Sequence, residues 1–489
     1  MSNKPANPNP SSYGSAPRGT WHLTTRLDRL PWGKFHTVVT GALALGWALD
    51  MFEATIIGSV LGQVTHLWNL SATQGSALVS SWVLGIFLGA IAFGHYSDQF
   101  GRKKLFIFTL VWYAAFSVIT AFAWNFHTLL AFRFLAALGV GGEYSAVTAA
   151  MVEFIPQMHR GKASALILAA ASVGSLLSSV FAGFFLSHFP ADVGWRLGFG
   201  AGAVLAVAGV WVRYAIPESP RWLAAHGHLD QAERIVQSVE ESLAAAGLQV
   251  PPVPREPPLS TMTSADQPST GQPFVNRIKE LLSHYLGRLS LACSLNFAQA
   301  SVIYGMLAVL SVIVLPAVKV APQRMPFFYF VGNLGALGGA LFAAVLIDTW
   351  GRKRTMLLGF TLTSLGVFLL SLASTPHRVM GAYTLIMFSV IWATNAAYVV
   401  SSEILPVHNR ATGLGLSVAA GRVGAFIAPL LLSALYQKTH NAELALITLT
   451  LLSIPGPVAS LIWCLKGTEG SNCSLEEISR KSHKEAWST

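Results

Sequence analysis

Charged side chains inside otherwise apolar segments are the residues of this sequence that most directly suggest chemistry. Asp50 and Glu53 are three residues apart in the segment W-A-L-D-M-F-E, so they share one face of a helix. Arg133 and Glu143 lie in a second apolar segment, and Arg422 lies in a third. Because ionisable groups are costly inside a membrane, all five residues are candidates for function.

The combination of these charges predicts proton chemistry and anion binding. Two carboxylates on one helix face carry more charge than Arg133 can neutralise, so one of them is expected to take up a proton. Arg422 is the candidate clamp for a substrate carboxylate, because a guanidinium binds a carboxylate in a bidentate manner. Glu143 lies ten residues past Arg133, which is about 15 Å along a helix, and is expected to belong to a second, substrate-facing site.

Structural alternatives for the same residues stay open. Asp50, Glu53 and Arg133 would also fit a permanent ion-pair cluster that orients two helices against each other. Arg422 would also fit a structural salt bridge, or a position from which its side chain reaches the membrane interface.

The composition places these residues in a polytopic membrane protein. Of the 489 residues, 53% are hydrophobic and only 11% are charged. Apolar stretches of about 20 residues, the length of a spanning helix, recur about twelve times, so we predict an all-α membrane protein with twelve transmembrane helices. The predicted parts are an N-terminal tail (1–35), a first helical half (36–216), a linker (217–286), a second helical half (287–466) and a C-terminal tail (467–489).

The net charge of +10 follows membrane topology rather than nucleic-acid binding. Lys and Arg cluster in alternate connections, at 102–104, 160–162, 352–354 and 410, and are sparse in the others. The positive-inside rule therefore predicts that the basic loops and both termini are cytoplasmic. We expect a monomer in contact with membrane lipid, in the inner (plasma) membrane of a bacterium, with no nucleic-acid partner.

Seven residues recur at an offset of 250 residues, within the motifs D-x-x-G-R-K and E-x-x-P-x-x-x-R. Such long-period self-similarity predicts a duplicated unit. The residues of the first half are Asp98, Gly101, Arg102, Lys103, Glu153, Pro156 and Arg160, and each recurs as the same residue type in the second half. The five charges described above break the repeat, because their counterparts are uncharged. Those counterparts are Ala300, Ile303, Tyr383, Ala393 and Ser172.

Three motifs resemble those of the major facilitator superfamily. The segment G-H-Y-S-D-Q-F-G-R-K-K (94–104) resembles the loop signature between the second and third helices, and 344–354 is a weaker copy with Ala344 in place of Gly. The segment R-F-L-A-A-L-G-V-G-G-E-Y (133–144) is similar to the fourth-helix motif. The segment P-E-S-P-R-W-L (217–223) is similar to the segment after the sixth helix of sugar porters and organic-ion transporters.

The resemblance implies two pseudo-symmetric six-helix bundles around a central cavity that opens alternately to either side. The repeated charges would then form a cytoplasmic gate, because carboxylates at helix ends can engage basic loops and helix N-termini reversibly. Alternatively, these residues are topology charges that only anchor the loops. The gate candidates are Asp98, Gly101, Arg102, Glu153, Arg160, Asp348, Gly351, Arg352, Glu403 and Arg410.

The resemblance also implies where a substrate would bind. In this superfamily the first, fourth, seventh and tenth helices line the cavity, so Asp50, Glu53 and Arg133 would meet there. Polar and aromatic residues of the seventh and tenth spans would complete the substrate site. They are Asn296, Gln299, Tyr304, Asn395 and Tyr398.

The charges that break the repeat resemble those of organic acid transporters. The first-helix D-x-x-[DE] pattern, together with Arg133 of the fourth span and Arg422 of the eleventh, resembles the aromatic acid:proton symporters. The segment G-G-E-Y (141–144) resembles the sialate and monocarboxylate symporters. We therefore expect alternating-access symport of a proton with a small carboxylate. A sugar:proton symporter, a metabolite or drug exporter and a non-transporting receptor remain alternatives. We expect no enzyme activity, cofactor or metal site, because no catalytic, metal-ligand or phosphate-loop spacing is visible.

Overall fold

The computed structural model describes residues 23, 25–100, 102–214, 217–253, 274–405 and 409–466, and the regular structure within them is helical. The first half contains six long helices: α1 (Lys34–Leu67), α2 (Ala72–Phe100), α3 (Arg102–Ala121), α4 (Phe126–Phe154), α5 (Arg160–His188) and α6 (Ala191–Tyr214). Three helices follow in the linker: α7 (Pro220–Ala225), α8 (Leu229–Ala245) and α9 (Phe274–His284).

The second half begins with α10 (Leu286–Val309), which continues through a π-helical turn at Leu310–Val314 into Leu315–Ala317. The next helices are α11 (Met325–Thr349), α12 (Arg352–Ser371), α13 (Pro376–Ile404) and α14 (Arg410–Thr439). The final span is divided into α15 (Ala442–Ser453) and α16 (Pro455–Lys466). The division falls at a proline, which has no N–H to continue the helical hydrogen bonds.

Ten helical segments of the described chain are long and apolar enough to cross a membrane, and α15 and α16 count together as one of them. The remaining two long helices, α4 and α6, pack among these segments: α4 lies against α2 and α3, and α6 lies against α1 and α3. The predicted all-α membrane fold with twelve spans is confirmed.

The repeat seen in the sequence reappears in the positions of the helices. Helices α3 and α12 begin at Arg102 and Arg352, which are 250 residues apart, and each has 20 residues. Helices α4 and α13 each have 29 residues, and both begin with a capped turn. Asn125 and Thr375 are the caps, and each side chain accepts a hydrogen bond from the backbone N–H three residues on. The duplication therefore extends to the local signals that start a helix.

Helix packing follows the same repeat. Helix α1 packs against α5 as α10 packs against α14, and α2 packs against α4 as α11 packs against α13. We call α1–α6 the N-half and α10–α16 the C-half. The two halves meet through α2 against α14 and α5 against α11, which are again equivalent pairs.

The halves are joined at one end of the molecule. We call this the apposed end, and we call the end that carries the connections α2–α3 and α11–α12 the loop end. At the apposed end a single apolar core contains Ile57 and Val60 of α1 together with Leu307 and Ile313 of the C-half. Ser311, in the π-helical turn, donates a hydrogen bond to the backbone oxygen of Gly58 at 2.6 Å. Apolar packing and backbone hydrogen bonding therefore both hold this end together.

At the loop end each half has its own core. In the N-half this core includes Leu43 and Phe154, and in the C-half it includes Phe360 and Ile404. Among the described residues, no apolar cluster at this end contains residues from both halves. The described residues therefore show a core shared by both halves at the apposed end, and at the loop end only cores that belong to one half each.

A small module outside the spans covers the start of α1. Leu23, Leu27 and Leu30 pack with α7 and α8 in a separate apolar cluster. Arg26 donates to Glu240 at 2.7 Å. This hydrogen bond is the main reason that the pKa of Arg26 lies above its ordinary value. Burial acts to raise the pKa of Glu240, but hydrogen bonds from Arg26 and Arg29 outweigh burial, so this pKa lies below its ordinary value.

Replacing Glu240 should release the N-terminal segment from α8. In Glu240→Gln we expect backbone amides of residues 25–30 to exchange hydrogen for deuterium about tenfold faster, because charge-assisted hydrogen bonds contribute about 1.5–3 kcal/mol. Since the pKa of Glu240 is lowered, its contribution is complete above the ordinary value of 4.5 and is lost as pH falls through the lowered pKa. Glu241→Gln is the control, because Glu241 is exposed and contacts only Gln237 among the hydrogen bonds described. Equal exchange in both variants would contradict the assignment.

Candidate functional site

A buried ion pair joins α1 to α4. The side chains of Glu53 and Arg133 are both 0% exposed, and Arg133 Nη1 donates to Glu53 Oε1 at 2.8 Å. Arg133 Nη2 also donates to the backbone oxygen of Glu53 at 3.2 Å, and the Ser117 hydroxyl of α3 donates to Glu53 Oε1 at 3.2 Å. Breaking such a buried pair by removing one partner costs about 3–5 kcal/mol.

Aromatic rings complete the surroundings of the Arg133 guanidinium. Its central carbon lies 3.9 Å from the ring centroid of Trp82, in α2, and 5.0 Å from that of Phe199, in α6. Trp82 and Phe199 are themselves fully buried. The negative faces of aromatic rings attract a cation most strongly where water is excluded. The position of the guanidinium is therefore fixed from several sides.

Two further buried carboxyl groups lie on the same two helices. Asp50 is 0% exposed and lies one helical turn before Glu53 on α1, and Glu143 is 1% exposed on α4. Tyr113 of α3 is also fully buried, and it interacts electrostatically with Asp50, Glu53 and Glu143. Glu143 lies about 15 Å from Arg133 along α4, and both residues interact electrostatically with Tyr113.

The space for the second carboxylate oxygen of Glu53 is provided by Gly202 of α6. A Cβ atom at this position would overlap Glu53 Oε2 and would lie 3.2 Å from the ring of Phe52. Oε1 is already held by Arg133 and Ser117. The carboxylate therefore has little freedom to move away from a larger residue at position 202.

The C-half contains a second polar group, formed by α10, α13 and α14. Arg422 Nη1 donates to the Tyr304 hydroxyl at 3.2 Å, and Tyr398 interacts electrostatically with both residues. Gln299 Nε2 donates to Asn296 Oδ1 at 2.9 Å, and Gln299 also lies next to Tyr398. The structure thus brings together the C-half residues that the sequence singled out on α10 and α14.

The accessibility of α13 shows which of these groups face open space. Tyr398 is 45% exposed, although it lies against Arg422 and Gln299 inside the C-half. Its ring therefore borders a space accessible to solvent. Asn395 is half-buried and lies three residues earlier on the same face of α13. Asn296 and Gln299 are buried more deeply, at 3% and 5% exposure.

The structure describes only some of the residues predicted to form the cytoplasmic gate. Gly351 immediately precedes α12 with φ of 85°, a backbone conformation that favours glycine, which explains its place in the D-x-x-G-R-K motif. Glu153, Arg352 and Arg410 are half-buried. Gly101 and the side chains of Asp98, Arg102, Arg160, Asp348 and Glu403 lie outside the described part of the structure. The gate therefore stays a prediction.

Several residues that contact the ion pair could not be assigned to it from the sequence. Trp82, Phe199 and Gly202 are apolar or small residues in apolar helices, where their types carry no distinguishing signal. Tyr113 and Ser117 did offer a signal, because they are two polar residues one turn apart in α3. That spacing places both on the face of α3 that Glu53 contacts.

Comparison with known protein families identifies the family to which this arrangement of helices belongs. The family described as sugar (and other) transporter matches residues 35–481 of the chain. The chain belongs to the sugar (and other) transporter family. It is 28% identical over 460 residues to the niacin transporter NiaP of Acinetobacter baylyi, with 93% of this chain and 99% of NiaP covered. It is 26% identical over 380 residues to a probable 4-methylmuconolactone transporter of Cupriavidus pinatubonensis, with 77% and 78% covered.

The fold of this transporter is shared with a solved member of the superfamily. The inward-open xylose transporter XylE of E. coli matches with a TM-score of 0.70 at 20% identity, covering 91% of this chain and 99% of XylE. The resemblance to the major facilitator superfamily and the expectation of a membrane transporter rather than an enzyme are both confirmed.

The pocket around Glu53 can be tested at Gly202. We expect Gly202→Ala to lower the unfolding free energy by about 1–3 kcal/mol, because the new methyl group must displace a carboxylate that is held by two partners. Thermal unfolding of the purified transporter in detergent measures this change. Gly200→Ala, two residues away on α6, is the matched control, since a Cβ there meets nothing within 4 Å. The same melting temperature for both variants would show that Glu53 Oε2 is not confined.

Proposed function

We propose that this transporter carries a small organic acid together with a proton, by alternating access. The observation that carries the proposal is the fully buried group of Asp50, Glu53 and Arg133 in the N-half. We further propose that the loop end faces the cytoplasm of a bacterium, because the basic connections lie there. On this orientation the core that joins the two halves lies on the side away from the cytoplasm. The transporter would act as a monomer.

The balance of charge supports proton coupling. Two hydrogen bonds from Arg133 go to Glu53, while Asp50 and Glu143 are further acidic groups within the same buried region. Three acidic side chains buried in one half concentrate negative charge in a medium of low dielectric constant, and both burial and like charges make a carboxylate costlier to keep ionised. Binding a proton removes part of that charge. Loading and release of the proton therefore change how firmly α1 and α4 are held together.

The C-half supplies a site suited to a carboxylate. Arg422 contacts the Tyr304 hydroxyl, a neutral acceptor that an anionic ligand can displace. Tyr398 offers an accessible ring beside this cation, so a flat acid could stack on the ring while its carboxylate reaches Arg422. The relatives named for niacin and 4-methylmuconolactone support an organic acid, since niacin is an aromatic carboxylic acid. Asn296, Gln299 and Asn395 would bind the polar edge of the ligand.

The coupling mechanism follows from the separation of the two groups. Proton binding acts on contacts within the N-half, while substrate binding acts on contacts within the C-half. The repeated charges at the loop end would close that end when both ligands are bound and release it when they have left. The single core at the apposed end would then separate, because the two ends cannot be open together.

The proposal predicts that Asp50 is needed for accumulation. In liposomes whose outside is more acidic than the inside, Asp50→Asn should accumulate radiolabelled nicotinate at least about tenfold more slowly, because the amide cannot carry the proton. Asp192→Asn is the control, since Asp192 is an exposed carboxylate at the start of α6. If nicotinate uptake by the unaltered protein does not depend on the pH gradient, proton coupling is wrong. Uptake of neutral hexoses in place of carboxylates would favour a sugar symporter.

Arg422 should determine affinity for the carboxylate. Truncating one partner of a buried charge pair costs about 2–5 kcal/mol, so we expect Arg422→Ala to weaken nicotinate binding at least about 30-fold. Isothermal titration calorimetry of the purified protein measures this loss. Arg378→Ala removes an exposed cation at the start of α13 and should bind nicotinate as the unaltered protein does. Equal affinity in the two variants would mean that Arg422 is a structural residue.

A further inference from the structure

Tyr113 is a buried phenol with no hydrogen-bond partner among the described residues. Its side chain is 0% exposed, and no atom of the described chain hydrogen-bonds its hydroxyl. An unsatisfied buried hydroxyl costs about 1–3 kcal/mol, and most buried polar groups avoid that cost. A phenylalanine would fill the same apolar space without it. The hydroxyl therefore calls for a role other than packing.

Charged groups approach Tyr113 from two neighbouring helices. Asp50 and Glu53 of α1, and Arg133 and Glu143 of α4, all interact electrostatically with Tyr113. The neighbours from α2 and α6 are apolar: Tyr113 shares one core cluster with Ile86, Trp82 and Ala206. Ser117, one turn further along α3, makes the contact with Glu53. The phenol thus belongs to a polar group that is surrounded by apolar side chains.

The directions of the helices place Tyr113 between the ion pair and Glu143. Helices α1 and α3 begin at the loop end, so Asp50 and Tyr113 lie about 5–6 Å nearer to that end than Glu53 and Ser117. Helix α4 runs the other way, so Glu143 lies about 15 Å nearer to the loop end than Arg133.

Close packing against α4 keeps the phenol at this depth. A Cβ atom on Gly139 would lie 3.1 Å from Tyr113 Cβ, and Gly139 lies one turn before Glu143. Glycine at this position lets α3 and α4 approach each other closely, as small residues do between membrane helices. Tyr113 is therefore positioned one turn away from the level of Glu143.

We propose that the Tyr113 hydroxyl relays protons between the Asp50–Glu53 pair and Glu143, so that Glu143 exchanges protons with the loop end. This inference rests on the proposed proton coupling. In one transfer the protonated carboxyl group of Asp50 or Glu53 gives its proton to the Tyr113 oxygen. At the same time the original hydroxyl proton of Tyr113 passes to the Glu143 carboxylate. One proton moves, Tyr113 ends neutral, and no other reactant is required. The transfer requires the Asp50 and Glu143 side chains to change rotamer, because the Tyr113 hydroxyl makes no hydrogen bond in the described conformation.

The relay assigns separate tasks to three acids. Asp50 and Glu53 hold the coupled proton next to Arg133, and Glu143 passes it on towards the loop end. Because the described cores at that end belong to one half each, the relay leads away from the core that joins the two halves. A proton could then leave without crossing the shared core at the apposed end.

The test compares net uptake with exchange in proteoliposomes, with nicotinate as the probe. Net uptake driven by a pH gradient needs proton release in every cycle, whereas exchange of internal for external nicotinate does not. For Tyr113→Phe we expect the ratio of net uptake to exchange to fall at least about tenfold. Glu143→Gln should have the same effect, and the double variant should be no worse than either single variant, as for residues that act in one route. Tyr436→Phe, a matched change far from these acids on α14, should leave the ratio unaltered.

A second measurement needs no substrate. The Trp82 ring stacks on Arg133, so its fluorescence should respond to the charge of Glu53 after a rapid change in pH. The Trp82 signal is obtained by subtracting the response of Trp82→Phe. We expect this response to be at least about tenfold slower in Tyr113→Phe.

The outcomes separate the relay from the wider proposal. If the unaltered protein responds to the pH gradient and Tyr113→Phe keeps both the ratio and the fluorescence rate, the relay is wrong and proton coupling stands. A proportional loss of uptake and exchange with an unaltered fluorescence rate would make Tyr113 a structural residue. If the unaltered protein shows neither gradient-driven uptake nor a pH response at Trp82, proton coupling and the relay both fail.

Discussion

A guanidinium buried in the middle of a membrane bundle must be held by a carboxylate, and most of the N-half is arranged around that need. Five helices contribute to it. Helix α1 supplies Glu53, α3 supplies the Ser117 hydroxyl and α4 supplies Arg133 itself. Helices α2 and α6 supply the aromatic rings on either side, and α6 also supplies the glycine that leaves space for the carboxylate. Because so many helices converge on one pair, a change in its charge reaches all of them.

The C-half has the same scaffold without this constraint. Three pairs of equivalent helices begin 250 residues apart, and equivalent helices pack in equivalent pairs. Yet Arg133 is replaced by Tyr383, and Glu53 by Ile303. Tyr383 is buried and stacks at an angle against Tyr329. The cation of the C-half, Arg422, instead lies beside an accessible tyrosine. The N-half thus contains a fully buried ion pair, whereas the C-half contains a cation beside a solvent-accessible tyrosine.

Much of this arrangement could be predicted from the sequence, and the limits have physical causes. Helix number and pseudo-symmetry follow from hydropathy and a repeat in register, and charges inside apolar helices stand out because burying them is costly. Contacts between helices are different. The ring of Trp82 over Arg133, and the gap at Gly202, depend on how helices rotate and cross, and apolar residue types leave those choices open. Tyr113 is recognisable as a polar residue one turn from Ser117, but its importance comes from acids on two other helices, which the sequence does not place near it.

The shared core at the apposed end has a consequence for how temperature acts on the transporter. When that end opens, the side chains of α1 and α10 that now pack together meet water rather than lipid, while the loop end buries surface in exchange. The two accessible states therefore differ in the amount of apolar surface that water covers. A difference of that kind carries a change in heat capacity, and the attraction that closes the apposed end weakens on cooling. If the protein alternates between these two states, as proposed, their populations should shift with temperature even when no ligand is bound.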